Sequence, residues 1–517
     1  MEKSKLSRRD ALKGVASLGL LAGASTLMAN ESPKAKDVKF DESYDVVVIG
    51  SGFAGLAAAT KAAQRGLKVL VIEKMGRLGG NSTINGGAFA VPNNDDQKKF
   101  GIKDSKELFI KDCLKAGLGL NHVELLEVIA NRAQEALDFA ESCGAKFQRG
   151  KEPTWFGGHS VPRTIVTQNM SGSGIIHPMA SFAQKLPGCK IERRVKFDDF
   201  ILDENGAVVG IWARKNYKFD NKAFSDDVEN KSGKKVAIKA NRGVVLASGG
   251  FSADKYYRKL QDPRIEYTQD NTNQKGATAG ALLSAFKIGA FPVHVGWIQQ
   301  GPWASPDEVG FGIAPLLTQQ GLFKFGIVVD QRNGKRFMNE LADRKTRADA
   351  EYVILHEDKT AYPIAIGTKN TFADQIKPKV AKGLETGVMK EFKTIDELAS
   401  FYKIPLKELK NTIKTYNENV KKGVDPDFGK PVAAFKGEGI EETGPFYAIR
   451  LVPKPHHTMG GLKINTKAQV ISSITHEPIK GLYAAGEVTG GTHGASRLGS
   501  VAIADCLIFG MIAGENI

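Results

Sequence analysis

The stretch Tyr44–Lys74, "YDVVVIGSGFAGLAAATKAAQRGLKVLVIEK", decides the fold. An apolar, β-branched run ends in a glycine turn, an alanine-rich helix follows, and a second apolar run closes on Glu73 and Lys74. Such runs on either side of a helix read as one βαβ unit, and parallel strands joined by a crossover helix imply an α/β sheet. Gly50, Gly52 and Gly55 form G-x-G-x-x-G directly after the first strand, with Ala54 inside the motif. Glycine there permits a tight turn and close approach of the backbone to a pyrophosphate, whose negative charge the helix N-terminus favours. Glu73, at the end of the second strand, can accept hydrogen bonds from a ribose. The context of strand, turn, helix and acid predicts dinucleotide binding.

Outward from this unit, "GGNSTINGG" (Gly79–Gly87) supplies backbone donors and small side chains at Gly80, Asn81, Ser82, Gly86 and Gly87. "GVVLASGG" (Gly243–Gly250) and "GLYAAGE" (Gly481–Glu487) are further strands ending in turns, and both are expected in the first sheet. They bring Ala247, Gly249, Gly250, Gly486 and Glu487 towards the cofactor. "RLGSVAIADCLIFG" (Arg497–Gly510) opens a helix at Ser500, with Ala502 and Ile503 at its start. That N-terminus suits the pyrimidine end of a flavin, which is anionic when reduced. FAD is therefore preferred to NAD.

Between these strands, "SFYKIPLKELKNTIKTYNENVKKG" (Ser400–Gly423) reads as helices. The predicted fold class is α/β: a Rossmann-like FAD-binding domain with an inserted α+β capping domain. The boundaries read are 44–298 for the first part of the FAD-binding domain, 299–436 for the cap and 437–517 for the second part. The sequence shows no repeat of solenoid period and no low-complexity segment.

A chain of 517 residues with 42% hydrophobic and 25% charged content can bury a sizeable core and reads as globular. Its formal charge is +15, but the lysines are dispersed rather than gathered into a basic block with interleaved aromatics, which argues against nucleic acid. The opening "MEKSKLSRRDALKGVASLGLLAGASTLMAN" carries Arg8-Arg9 in a basic region, then a short apolar run and small residues. It reads as a removable Tat-type export signal over 1–29, followed by a polar tether over 30–43, and places the mature chain in the periplasm without a membrane span. The four cysteines, Cys113, Cys143, Cys189 and Cys506, are far apart, and no C-x-x-C-H or zinc-like spacing occurs. Neither a c-type haem nor a metal site is expected in this chain.

On "GGNSTINGG", "NGKRFMNELADR" (Asn333–Arg344), "HHTMGGLKINTKA" (His456–Ala468) and "GLYAAGEVTGGTHGASRLG" (Gly481–Gly499), the chain resembles the fumarate reductase/succinate dehydrogenase flavoprotein family. It is most similar to the soluble periplasmic branch of flavocytochrome c fumarate reductase, urocanate reductase and methacrylate reductase. The resemblance runs from Tyr44 to the C-terminus. It implies two domains, a mobile cap, and reduction of a carbon-carbon double bond beside a carboxylate, by hydride from FAD N5 and a proton from Arg344. It also implies that His457 and Arg497 grip a substrate carboxylate and that Thr318 lies near the other end of the substrate. Asn81, Ser82 and Thr83 stand where membrane-bound relatives carry a covalent histidine, so FAD is expected to be non-covalent.

Two departures bear on the substrate. In "QQGPW", Gly301 stands where fumarate reductases of this branch carry a histidine for the second carboxylate, and Trp303 is close by. In "TQQGL", Gln319 and Leu322 replace the glutamate and arginine of a relay that feeds protons to the catalytic arginine, so either Glu340, Asp343 or an ordered water substitutes or protonation runs by another route. The expectation is a small unsaturated monocarboxylate, methacrylate or acrylate, with fumarate as the runner-up. Urocanate or an aryl acrylate, a ketosteroid dehydrogenase-like oxidation and a non-catalytic electron-transfer flavoprotein remain as alternatives. With no haem in the chain, electrons are expected from a separate periplasmic cytochrome c or similar carrier, and the positive charge suits an acidic partner.

Overall fold

The computed structural model describes residues 35–372 and 376–517. The expected export signal and residues 30–34 of the tether lie outside the described residues. The opening unit folds as its pattern predicts, into β1 (Glu42–Ile49), α1 (Phe53–Gln64) and β2 (Val69–Glu73). Every side chain from Val46 to Ile49 and throughout β2 is buried, as a strand covered on both faces requires. The two strands pair in parallel with Val46 opposite Val69 and Ile49 opposite Ile72. β3 (Cys189–Arg193) extends the sheet beside β2, and β4 (Lys234–Leu246) pairs in parallel with β1 on the other side. The strand Pro478–Ala484 adds to β4, so both later glycine-flanked strands join the first sheet as expected.

The chain leaves this domain through β5 (Ile298–Gly301) and builds a second, antiparallel sheet from β6 (Ile327–Asp330), β7 (Pro363–Thr368), β8 (Lys390–Phe392) and β9 (Phe446–Arg450). The helix α2 (Arg344–Glu357) lies between β6 and β7 in the chain, and its N-terminus is capped by the Asp343 carboxylate, which accepts from the Thr346 amide. Ile327, Val329, Ile364, Ile366 and Phe446 pack with Leu398, Leu409 and Tyr416 into a core separate from that of the first sheet. β9 pairs with both β7 and β8, so the cap sheet reaches Arg450, past the boundary at 436 read from the sequence. The glycine- and charge-rich segment from Lys436 to Gly444 looks like a domain linker, but the strand that follows still belongs to the cap.

The chain returns through β10 (Lys454–Thr458), which pairs antiparallel with β5. Both crossings between the domains thus run side by side. Gln299 lies opposite His457 and Gln300 opposite Pro455, leaving His456 as the extra residue of a β-bulge. A bulge kinks its strand and re-aims the side chain it carries.

The last helix, α3 (Val501–Asn516), begins after Ser500, which sits in the left-handed region at φ 63°. A buried polar group holds this start in place. Arg163 is fully buried and donates to Asp104 at 2.8 Å and Asp112 at 2.6 Å. It also reaches Nδ1 of His159 at 2.9 Å, leaving the His159 Nε2–H to donate to the Gly499 carbonyl at 2.7 Å. Burial above all lowers the His159 pKa to about 4, which matches this neutral form. The Ser500 hydroxyl meets that of Thr164 at 2.7 Å. Removing one partner of a buried ion pair leaves the other charged and unpaired. Arg163→Met should therefore lower stability by about 3–5 kcal/mol in chemical unfolding; an unfolding curve matching the parent protein would contradict the account.

Candidate active site

The loop after β1 and the loops after β2 and β4 converge on one elongated pocket that opens to solvent. Of the residues expected to bind the cofactor, Gly50, Gly52, Ala54, Glu73, Lys74, Gly80, Asn81, Ser82, Ala247, Gly249, Gly486 and Glu487 line it. Gly55, Gly86, Gly87, Gly250, Ser500, Ala502 and Ile503 do not. Gly55 acts one step back: a Cβ there would lie 2.0 Å from the Gly50 carbonyl oxygen, and one on Gly50 itself, at φ 106°, would lie 2.3 Å from that of Ala247. Gly250 likewise lets Glu487 and Thr458 approach, since its Cβ would meet Glu487 Oε1 at 2.4 Å. The Ser500 hydroxyl is used within the helix-start network.

Sequence reasoning missed Ser51 and Cys506, both of which line the cavity. The Ser51 hydroxyl donates to Glu73 at 2.5 Å and accepts from the Gly79 amide at 2.9 Å, tying the turn after β1 to the end of β2 and the loop that follows it. Ser51 stands inside the glycine motif, so its place there was the available signal. At the other end, the Glu487 carboxylate accepts from the Thr458 amide at 3.0 Å and is pushed up in pKa chiefly by burial. Backbone at close range, an acid beside the ribose position and a buried carboxyl at the far end suit an elongated dinucleotide such as FAD.

A second cluster lies where the cap meets the first domain. Arg344, the first residue of α2, donates to Gln299 Oε1 at 3.0 Å. The Gln299 amide donates in turn to Ser496 Oγ at 2.9 Å and to the Arg497 carbonyl at 3.0 Å, so one β5 side chain holds both arginine segments. Arg497 Nη2 lies 3.3 Å from His456 Nε2, and His456 Nδ1 lies 2.7 Å from the Thr272 hydroxyl. The Trp303 ring meets His456 edge-on at 4.8 Å, and the Arg344 guanidinium stands 5.2 Å over the same indole. Burial first, then the charge of Arg497, holds the Arg344 guanidinium well below its usual range. The Arg497 pKa is lowered to about 10, again chiefly by burial. Burial and then the two arginines hold His456 well below the usual imidazole range, so it is neutral. Neither Arg344 nor Arg497 forms an ion pair among the described residues. Two cations, Arg497 buried and Arg344 partly buried, with a neutral imidazole and no direct ion pair to either among the described residues, make a receptor for an anion.

Of the adjacent histidines, His456 is the one within hydrogen-bond distance of Arg497, while His457, held well below the usual imidazole range by burial first and then by the charge of Arg497, keeps an unpartnered Nε2. His457 is buried against Glu487, Nδ1 to Oε1 at 3.4 Å, and against His493, at 5.5 Å between ring centroids. The bulge at His456 sets this difference, and nothing in the local sequence announces it. Thr318, expected near the substrate, is fully buried and donates its hydroxyl proton to the Ala314 carbonyl at 2.8 Å, within its own helical turn. Leu322 is fully buried in the cap core beside Phe323, and Gln319 is half-buried in the same π-helical turn, Thr318–Leu322. Gly301 has a specific tenant: a Cβ on it would lie 1.6 Å from the Trp303 ring. Glu340 and Asp343, the candidate relay acids, are committed elsewhere. Glu340 is buried between Arg336 at 2.8 Å and Lys430 at 3.2 Å, and Asp343 caps α2.

The family model described as FAD binding domain matches residues 45–503. The acrylate reductase flavoprotein subunit of Shewanella woodyi is 44% identical over 515 residues, covering 99% of this chain and 98% of that protein. The urocanate reductase of Eggerthella lenta is 34% identical over 481 residues, 91% of this chain and 74% of that protein. The solved open conformation of a flavocytochrome c3 fumarate reductase superposes with a TM-score of 0.72 at 27% identity, over 100% of this chain and 82% of that one.

Gly55→Val pushes a side chain into the Gly50 carbonyl and must shift the cofactor-binding turn. The variant should emerge from gel filtration with its flavin-to-protein ratio reduced at least about tenfold, a loss of roughly 1.4 kcal/mol or more in cofactor binding; a ratio equal to the parent's would contradict the placement.

Proposed function

This chain belongs to the FAD binding domain family, and we propose that it is an FAD-dependent reductase of the carbon-carbon double bond of a small 2-enoate, acrylate or methacrylate in preference to fumarate. One observation carries the choice of substrate: the Trp303 ring lies against the Cα of Gly301, filling the space a second carboxylate-binding side chain at that position would need. A methylene against this ring contributes roughly 0.8 kcal/mol, whereas a buried carboxylate without a partner costs several kcal/mol. The similarity to an acrylate reductase subunit supports the same reading.

Arg497 and the neutral His456 hold the single carboxylate, and Arg344 faces it from the cap. A cation fixed by Gln299 needs no reorganisation when negative charge develops on the substrate. Arginine in water holds its proton too tightly to act as an acid. Burial and the neighbouring Arg497 weaken that hold on Arg344, which makes it the proton donor to the α-carbon. FAD, held along Gly50–Gly52, Glu73 and Glu487, supplies the two-electron reduction when bound. Non-covalent attachment is supported by a lining that contains no histidine and one cysteine, Cys506, whose thiol burial keeps protonated.

Periplasmic placement by Tat export and electron supply from a separate cytochrome c-like carrier belong to the same proposal. They rest on Arg8-Arg9 and on the absence of C-x-x-C-H from the sequence. No helix among the described residues is long and apolar enough to cross a membrane.

The test is anaerobic reoxidation of reduced methyl viologen by the FAD-loaded protein with acrylate, methacrylate, fumarate and urocanate. Acrylate or methacrylate should exceed fumarate in kcat/KM by at least about tenfold, the equivalent of 1.4 kcal/mol; a preference for fumarate would overturn the choice of substrate. His456→Ala should raise KM for the preferred enoate about 10- to 100-fold, the loss of one hydrogen bond to a charged group, with FAD content intact. His457→Ala should instead reduce FAD content and leave KM near the parent's. The reverse pattern would restore His457 to the carboxylate grip.

A further inference from the structure

The helix that carries Arg344 presents two more ionisable groups on the same face. Arg344, Arg347 and Glu351 are spaced i, i+3 and i+7 along α2, and a face so spaced runs about 10 Å along the axis at 1.5 Å per residue. Glu351 is fully buried, and neither of its carboxyl oxygens has a hydrogen-bond partner. Arg347 is buried too, with its Nε unpartnered, its Nη1 donating to the Glu340 carbonyl at 3.3 Å and its guanidinium 5.2 Å from the centroid of the Phe323 ring. Phe323 directly follows the π-helical turn in which Gln319 and Leu322 offer no group that could pass a proton.

A buried carboxyl with no hydrogen bonds is costly as an anion and persists as the neutral acid. Burial indeed holds Glu351 well above the usual carboxylate range, opposed only by the charge of Arg347. Arg347 is lowered to about 10 by burial, against the charges of Glu351, Asp343 and Glu340. Of these, Asp343 is spent on the cap of α2, and Glu340 on Arg336 and Lys430, with Asp425 beyond. Of the three carboxyls whose charge acts on Arg347, Glu351 alone has no other partner.

We propose that Glu351 and Arg347 form a proton relay along α2 that recharges Arg344 in each turnover. The proposal rests on the reading of Arg344 as proton donor. Arg344 gives one N–H proton to the α-carbon, where a C–H bond forms as the two-electron reduction completes, and is left neutral. Arg347 passes an N–H proton to Arg344, and the O–H of Glu351 breaks to restore Arg347. Glu351 then remains as a carboxylate beside the Arg347 cation until solvent returns its proton. The relay works with Glu351 protonated, so turnover falls as pH rises through the pKa of that group.

The test compares the FAD-loaded parent, Glu351→Gln and Glu351→Asp, first in FAD content and thermal unfolding, then in kcat and KM for the preferred enoate from neutral to alkaline pH. Glutamine keeps the shape but has no proton to give. It should leave FAD content and KM unchanged and lower kcat roughly 100-fold, the size of a lost acid-base contribution. The alkaline fall in kcat should disappear with it, and aspartate should restore part of the rate. Infrared spectra should show a buried protonated-carboxyl band in the parent that Glu351→Gln lacks. Parental kcat and pH profile in Glu351→Gln, or no such band in the parent, would overturn the relay while leaving the proposed reaction standing. A parent that reduces no enoate would overturn the proposed reaction first, and the relay with it.

Discussion

Two guanidinium groups held together in protein with no carboxylate between them are the constraint on which the rest of this structure turns. Arg344 comes from the cap and Arg497 from the first domain, and both are lowered in pKa chiefly by burial. Like charges removed from water repel at short range; neutral groups absorb the donors, and the charge of Glu487 favours the Arg497 cation. Gln299 accepts from Arg344, while the imidazole of His456 faces Arg497. The charge left over is what an anionic substrate neutralises. On this account the binding energy of one carboxylate also joins the cap to the first domain.

The scaffold serves that meeting. β5 and β10, the two crossings between domains, are paired to each other, and their side chains Gln299 and His456 are the neutral partners of the two arginines. The start of α3 and the segment bearing Arg497 are steadied by the buried network of Arg163, Asp104, Asp112 and His159. Trp303 then closes one end of the site, resting on a glycine that admits no other side chain.

What was legible in the sequence follows from how local each signal is. The βαβ unit and its glycine turn are fixed by neighbours in the chain, and the structure reproduces them strand for strand. The cavity ends at Glu73 and Glu487 were legible for the same reason. The choice between His456 and His457 was not, because consecutive residues on a strand face opposite ways and a bulge on β10 decides which one meets the Arg497 guanidinium. The loss of side-chain volume at Gly301 could be read, but not that Trp303 fills it. Thr318, placed near the substrate by the resemblance alone, gives its hydroxyl proton to its own helical turn in the fold. The cap boundary slipped because β9 pairs with strands far earlier in the chain. The row Arg344, Arg347 and Glu351 has helical spacing in the sequence, yet charged residues at that spacing ordinarily face water, and only the packing shows Arg347 and Glu351 buried.

The most direct test of a site built for one carboxylate is to titrate the oxidised, FAD-loaded protein with the saturated acids propionate and succinate, following the flavin absorbance to obtain Kd for each. The account predicts that propionate binds more tightly although it carries one charge fewer, because Trp303 leaves the second carboxylate of succinate without a partner. Tighter binding of succinate would contradict it.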